Sequence, residues 1–168
     1  MQRQEELVLK KILEVNKHSI YRICRIYAAS PIEPQDLFQE VVFQIYKSLP
    51  SFKENASINT WIYKIALHVC TRRKQQLKKG NGETVQLESI EFEISESPPN
   101  IHQQEKYKAL YECISCLEES DQKIIVLHLE ELPYKKIAEI TNLTENHIAV
   151  KMKRIRNKLL NCIEPKLK

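Results

Sequence analysis

Residues Asp36–Lys79 read DLFQEVVFQIYKSLPSFKENASINTWIYKIALHVCTRRKQQLKK. The spacing predicts two helices separated by a break at Leu49-Pro50-Ser51-Phe52, with Ser57 marking the start of the second. In that second helix Ile58, Trp61, Ile62, Ile65, Ala66 and Val69 recur every three or four residues, which predicts one buried face. Lys64, Arg72, Arg73, Lys74, Lys78 and Lys79 fall off that face or beyond it, so the helix runs into a basic end. An apolar floor, an aromatic near the start and a cationic run suit a nucleic-acid backbone. A core helix with a solvated tail fits the charge equally well.

The chain has 168 residues, 42% of them hydrophobic and 29% charged, enough for one domain or two small ones. Two glycines leave no room for a Gly-rich phosphate loop, so nucleotide chemistry is not expected. No apolar run approaches a membrane span of about 20 residues, and MQRQEELVLKK has no signal-peptide core. A cytoplasmic protein without membrane insertion is therefore expected. Cys24, Cys70, Cys113, Cys116 and Cys162 are odd in number and follow no framework spacing. Cys113 and Cys116 lack a second CxxC and a His at zinc-finger distance, so buried, reduced thiols are expected, with no metal and no cofactor.

Charge divides the chain into three. Residues 1–80 carry 14 Lys+Arg against 7 Asp+Glu, residues 81–104 carry five Glu and no cation, and residues 105–168 carry 12 against 10. Two basic blocks flanking an acidic strap point to polyanion binding at both ends. Residues 80–104, opening GNGETVQLESIEFEISESPPN, hold both glycines and Pro98-Pro99 and read as a tether. Val85, Leu87, Ile90, Phe92 and Ile94 alternate loosely, but one isolated strand would have nothing to pair with.

A first helix is expected over residues 5–29, on a stripe of Leu7, Ile12, Ile20, Ile23 and Ile26, stopped by Ser30-Pro31-Ile32-Glu33-Pro34. Pro34 or Gln35 opens the next, with Leu37, Phe38, Val41, Val42, Ile45, Tyr46 and Leu49 inward and Asp36, Gln39, Glu40, Gln44 and Lys47 towards solvent. Residues 103–131 read as two helices, the first with Tyr107, Leu110, Tyr111, Ile114 and Leu117 on its apolar stripe. The second carries Ile124, Ile125, Leu127 and Leu129, capped by Ser120 and favoured by Asp121 in its first turn. Pro133 starts a third helix, Thr141-Asn142-Leu143-Thr144 makes a tight turn, and Glu145 or Asn146 opens a last helix on Ile148, Met152, Ile155 and Leu159. This is a helix-turn-helix, with Asn142 tolerating the left-handed turn position. The last helix packs Lys151, Lys153, Arg154, Arg156 and Lys158 into eight residues, more than solubility requires.

DLFQEVVFQIYKSLPSF followed by ASINTWIYKIALHVCTRRKQ resembles region 2 of the bacterial sigma factors, in particular the small extracytoplasmic-function (ECF) group. ELPYKKIAEITNLTENHIAVKMKRIRNKL resembles region 4. The resemblance covers about Ile20 to Leu160. It implies an all-α chain of two small helical domains, region 2 over residues 1–79 and region 4 over residues 105–168, joined by the acidic linker 80–104. It also implies a transcription initiation factor rather than an enzyme. Its partners would be core RNA polymerase (the beta-prime clamp and the beta flap), promoter DNA and an anti-sigma factor.

Carried over by residue, Asp36, Gln39 and Glu40 would dock on the polymerase clamp. Phe52, Lys53, Asn55, Ser57, Asn59, Thr60, Lys64, Arg72 and Arg73 would meet the melted −10 element, where a flipped base is held by stacking and polar contacts. Asn55 departs from the Gly or charged residue common in relatives. In the last helix Thr144, Glu145, Asn146, His147 and Lys151 are expected at −35 base edges. Lys153, Arg154, Arg156 and Lys158 follow them, mainly as phosphate contacts. Ala149 stands where relatives often carry a cation. The competing reading is a free-standing helix-turn-helix regulator, but no dimerisation helix or sensor domain is legible. An enzyme would need clustered carboxylates or a nucleophile–base pair, and the carboxylates here are scattered.

Overall fold

The computed structural model describes residues 2–28, 31–53, 57–79 and 101–167. Among these the regular structure is helical: α1 (Gln2–Tyr27), α2 (Pro34–Ser48), a 3-10 turn at Leu49–Ser51, α3 (Ile58–Lys78), α4 (Ile101–Ser115), α5 (Glu119–Leu129), α6 (Tyr134–Thr141) and α7 (Glu145–Lys166). Asn55 and the loose alternation from Val85 to Ile94 lie outside the described residues. Helix α4 begins at Ile101, inside the stretch expected as linker. The helices gather into two units, α1–α3 and α4–α7.

In the first unit each helix packs on the other two. Pro34 sits at the first position of α2, where its missing N–H costs nothing, and Asp36 lies in the positive first turn. Leu13, Ile20 and Ile23 of α1, Leu37, Val41 and Ile45 of α2, and Ile62, Ala66 and Val69 of α3 form the core. The stripe of α1 starts at Leu9, not Leu7, which is 59% exposed. Two residues are about 200° of helix, so one of the two must face out. The buried asparagine Asn16 satisfies its amide by donating to the Ile12 carbonyl at 3.0 Å.

The buried face of α3 is rotated from the expected one. Tyr63, Leu67 and Cys70 are buried, while Ile58, Trp61 and Ile65 are half-buried. The helix is apolar over most of its circumference, so periodicity alone places its inward side poorly. Packing against both α1 and α2 decides it.

The second unit closes around α7, which packs against α4, α5 and α6 through Ile148, Met152, Ile155 and Leu159. Asn142 takes the left-handed conformation at φ 58°, and Leu143 N–H donates back to the Ala138 carbonyl at 3.1 Å, closing α6. Glu131 is also left-handed, at φ 63°, in the turn between α5 and α6, without a sequence sign for it. Three expectations need correction. Ser120 does not cap α5, which starts at Glu119 after Glu118. Pro133 precedes α6 rather than opening it. Tyr107, expected on the buried stripe of α4, is 47% exposed and stacks with Tyr111 at 6.1 Å, while Ala109, Cys113 and Ile114 face inward.

The cysteines are not five buried thiols. Cys113 of α4 and Cys162 of α7 form a disulfide across 49 residues of sequence, Cys116 is exposed, and Cys24 and Cys70 are buried and free. Spacing could not show the pairing, because the packing of α4 on α7 creates it.

Candidate nucleic-acid interfaces

The first surface is built where α2 hands over to α3. After the 3-10 turn the chain extends through Phe52, whose ring centroid lies 4.9 Å from that of Trp61 at a 43° tilt. Both rings are half-buried, so they make a continuous aromatic ledge with one side towards solvent. Lys53, Asn59 and Lys64 are exposed beside it.

Ser57 and Thr60 are occupied differently. Ser57 Oγ accepts from Thr60 N–H at 3.2 Å and shares a 2.8 Å hydrogen bond with Thr60 Oγ1. That contact caps α3 and satisfies an otherwise orphaned donor. Thr60 is 3% exposed, so its hydroxyl sits under the surface rather than on it.

The basic end of α3 is tied to α2. Glu40 Oε1 lies 3.4 Å from Arg72 Nη2, and Glu40 Oε2 lies 3.3 Å from Arg73 Nε. The Arg72 side chain keeps 51% exposure and that of Arg73 only 12%. The structure therefore joins Glu40, expected at a polymerase-facing surface, to two residues expected on DNA. Asp36 is exposed and Gln39 half-buried on the same helix.

The second surface is α7. Thr144 Oγ1 accepts from His147 N–H at 3.1 Å and caps the helix, which orients its first turn. Glu145, Asn146, His147, Lys153 and Arg154 are exposed. Lys151 and Lys158 are not simply solvated. Their ammonium groups lie 3.5 Å from Asp121 Oδ1 and Oδ2 respectively, and Lys151 also donates to Ser120 Oγ at 3.2 Å. Asp121 is buried to 7% exposure, so it fastens the start of α5 to one flank of α7.

Arg156 Nη2 stands 3.5 Å from His128 Nε2. Burial, then the positive charge of Arg156, holds the His128 imidazole below its ordinary range. These long-range partners have no sequence signature. One exposed residue of α7 did, and was missed: Val150, 46% exposed, interrupts the polar pattern between Asn146 and Lys153.

Residues 12–80 match the family model for Sigma-70 region 2, and residues 107–159 match that for Sigma-70, region 4. Over 161 residues the chain is 26% identical to the ECF RNA polymerase sigma-E factor of Escherichia coli K12, covering 89% of this chain and 83% of that protein. It is 30% identical over 67 residues to the ECF RNA polymerase sigma factor SigW of Bacillus subtilis 168, covering 40% of this chain and 36% of that one. The fold is similar to that of the sigma factor RpoE solved with the anti-sigma factor NepR from Bartonella quintana. There the TM-score is 0.67 at 16% identity, over 92% of this chain and 96% of that one. It is also similar to CnrH solved with the cytosolic domain of CnrY, with a TM-score of 0.68 at 11% identity, over 93% and 87% of the two chains.

Proposed function

Because the chain belongs to the sigma-70 family, as a sigma factor of its ECF group, we propose that it binds core RNA polymerase and brings two small DNA-binding units to a promoter. The unit over residues 1–79 takes the melted −10 strand, the unit over residues 105–168 takes the −35 duplex, and residues 80–104 tether them. The carrying observation is the solvent face of α7, where Asn146, Lys153 and Arg154 stand exposed on a helix that follows a helix-turn-helix turn. Such a helix fits the major groove, its first turns on bases and its later cations on phosphates.

On the −10 side, the Phe52–Trp61 ledge offers a stacking surface for an unstacked base. Phe52, Lys53, Asn55, Asn59 and Lys64 are its contacts, and Arg72 and Arg73 supply charge from the end of α3. Ser57 and Thr60 act by holding the helix start. Asp36 and Gln39 make the polymerase contact, to the beta-prime clamp. Glu40 serves first to position the two arginines, and region 4 docks on the beta flap. Either contact alone is weak, and tethering makes the second effectively intramolecular.

The chain carries out no catalytic step of its own. It acts in the cytoplasm, where the polymerase is. Among the described residues, no helix is long and apolar enough to cross a membrane. The relative solved with NepR supports an anti-sigma factor as a further partner.

Run-off transcription from pooled genomic fragments, with the organism's core polymerase, tests this reading. New 5′ ends sharing a two-box motif are expected with the protein and absent without it. Lys153→Glu with Arg154→Glu should remove them while core binding persists. A protein that binds duplex DNA without core and yields no new starts would instead be a free-standing regulator.

A further inference from the structure

We propose that Val150 reads a thymine of the −35 duplex through its 5-methyl group; this rests on the reading of α7 as the −35 helix. Val150 lies two residues after Ile148 and two before Met152, both of which are buried. At about 100° per residue it must point away from the core, and it is 46% exposed. One turn before it stands Asn146, and one turn after it Lys153 and Arg154, all exposed.

Single exposed aliphatic residues are common and need no purpose. The position of this one is what matters. It occupies the second turn of the helix, in the part of a docked recognition helix that meets base edges. Exposed Lys153 and Arg154 follow, suited to phosphates on the groove walls. The other large exposed hydrophobic residue described on α7, Leu160, lies near the far end of the helix.

The major groove offers one apolar base substituent, the thymine methyl, and apolar side chains recognise it by contact. Val suits the task because its branched Cβ holds essentially one rotamer in a helix. Its methyl groups are therefore aimed before docking, and little side-chain freedom is lost on contact. Cytosine presents a hydrogen at the matching carbon, and a purine presents polar edges. The expected specificity is therefore for T at one base pair, with the methyl as the feature read.

The test replaces each thymine of the −35 duplex, on either strand, by uracil, which removes the methyl and leaves the pairing edge unchanged. Binding is measured with the full chain in complex with core polymerase. At one position uracil should weaken wild-type binding about three- to five-fold, the size of one methyl group withdrawn from an apolar contact. In Val150→Ala that ratio should fall to about one at the same position, with binding to the uracil duplex unchanged. Ala is the better helix former at an exposed site, so folding is not at risk. A −35 box without thymine, an absence of any uracil effect, or an effect that persists in Val150→Ala would overturn the proposal. If Lys153→Glu with Arg154→Glu also leaves duplex binding intact, the failure lies in reading α7 as the −35 helix.

Discussion

Glu40 and Arg73 meet with Oε2 3.3 Å from Nε, and the same carboxylate reaches Arg72 through its other oxygen at 3.4 Å. The contact fastens the middle of α2 to the basic end of α3. With 12% of its side chain exposed, Arg73 has little water to fall back on if the carboxylate is withdrawn. Glu40→Gln should therefore cost about 1–3 kcal/mol in urea unfolding, because it strips the charge from a largely buried partner. Arg72→Gln should cost less than about 1 kcal/mol, as exposed ion pairs do. Equal losses from the two variants would refute the positioning role of Glu40. Asp36→Ala should cost no more than about 1 kcal/mol, the size of a favourable charge in a helix's first turn, and weaken core association.

Asp121 holds two cations of α7 that a DNA-facing helix would otherwise turn outward. Asp121→Asn keeps the shape and removes the charge. It should lower the stability of the α4–α7 unit by about 1–3 kcal/mol, because the acid is buried among its partners. It should also release Lys151 and Lys158 towards phosphate. The salt dependence of −35 duplex binding then steepens, by roughly one unit of log–log slope for each lysine recruited. An unchanged slope would mean that neither lysine is within reach of the backbone.

The Cys113–Cys162 bridge closes 49 residues of chain, so its main effect falls on the unfolded state. Cys162→Ser should destabilise the α4–α7 unit by about 2–4 kcal/mol. A reducing agent should do the same to the natural chain and nothing further to the variant. In the native protein, alkylation should reach Cys116 readily. It should spare Cys24, whose thiol is pushed well above its ordinary range by burial first and then by the neighbouring Cys70 thiol. Rapid modification of Cys24 before unfolding would contradict the packing of α1 on α3.

His128 supplies a pH dependence. Its folded ring is held below the ordinary value of 6.5, so the unfolded chain binds the proton more readily. The contribution of the neutral ring is complete above about pH 6.5 and is lost as pH falls below it. Arg156→Gln should raise the His128 pKa, as followed by NMR, without bringing it fully back, because burial is the larger cause. A fall in that pKa would show that the charge of Arg156 is not felt at the ring.

Much of the fold was legible because its signals are local. Pro34 opens α2, Ser57 caps α3 with its own hydroxyl, and Asn142 makes the left-handed turn. Each depends on residues within one helical turn, and a linear reading can see that far. The narrow stripe Ile148, Met152, Ile155 and Leu159 was legible for a related reason: a helix polar elsewhere leaves one choice of inward face.

Where a helix is apolar on most sides, as α3 is, the sequence permits several inward faces, and the neighbours choose among them. Tertiary packing also decided how the charged residues are used. Asp121 and Lys158 are far apart in sequence, as are Glu40 and Arg73, and Cys113 and Cys162. Charge and thiol chemistry say only that such groups can pair. Local signals in the sequence were enough for an all-α chain with a helix-turn-helix and a cation-dense last helix. The tertiary structure decided which cations face solvent and which are held by a carboxylate, because pairing energy falls away within a few ångströms and only folding brings the partners that close.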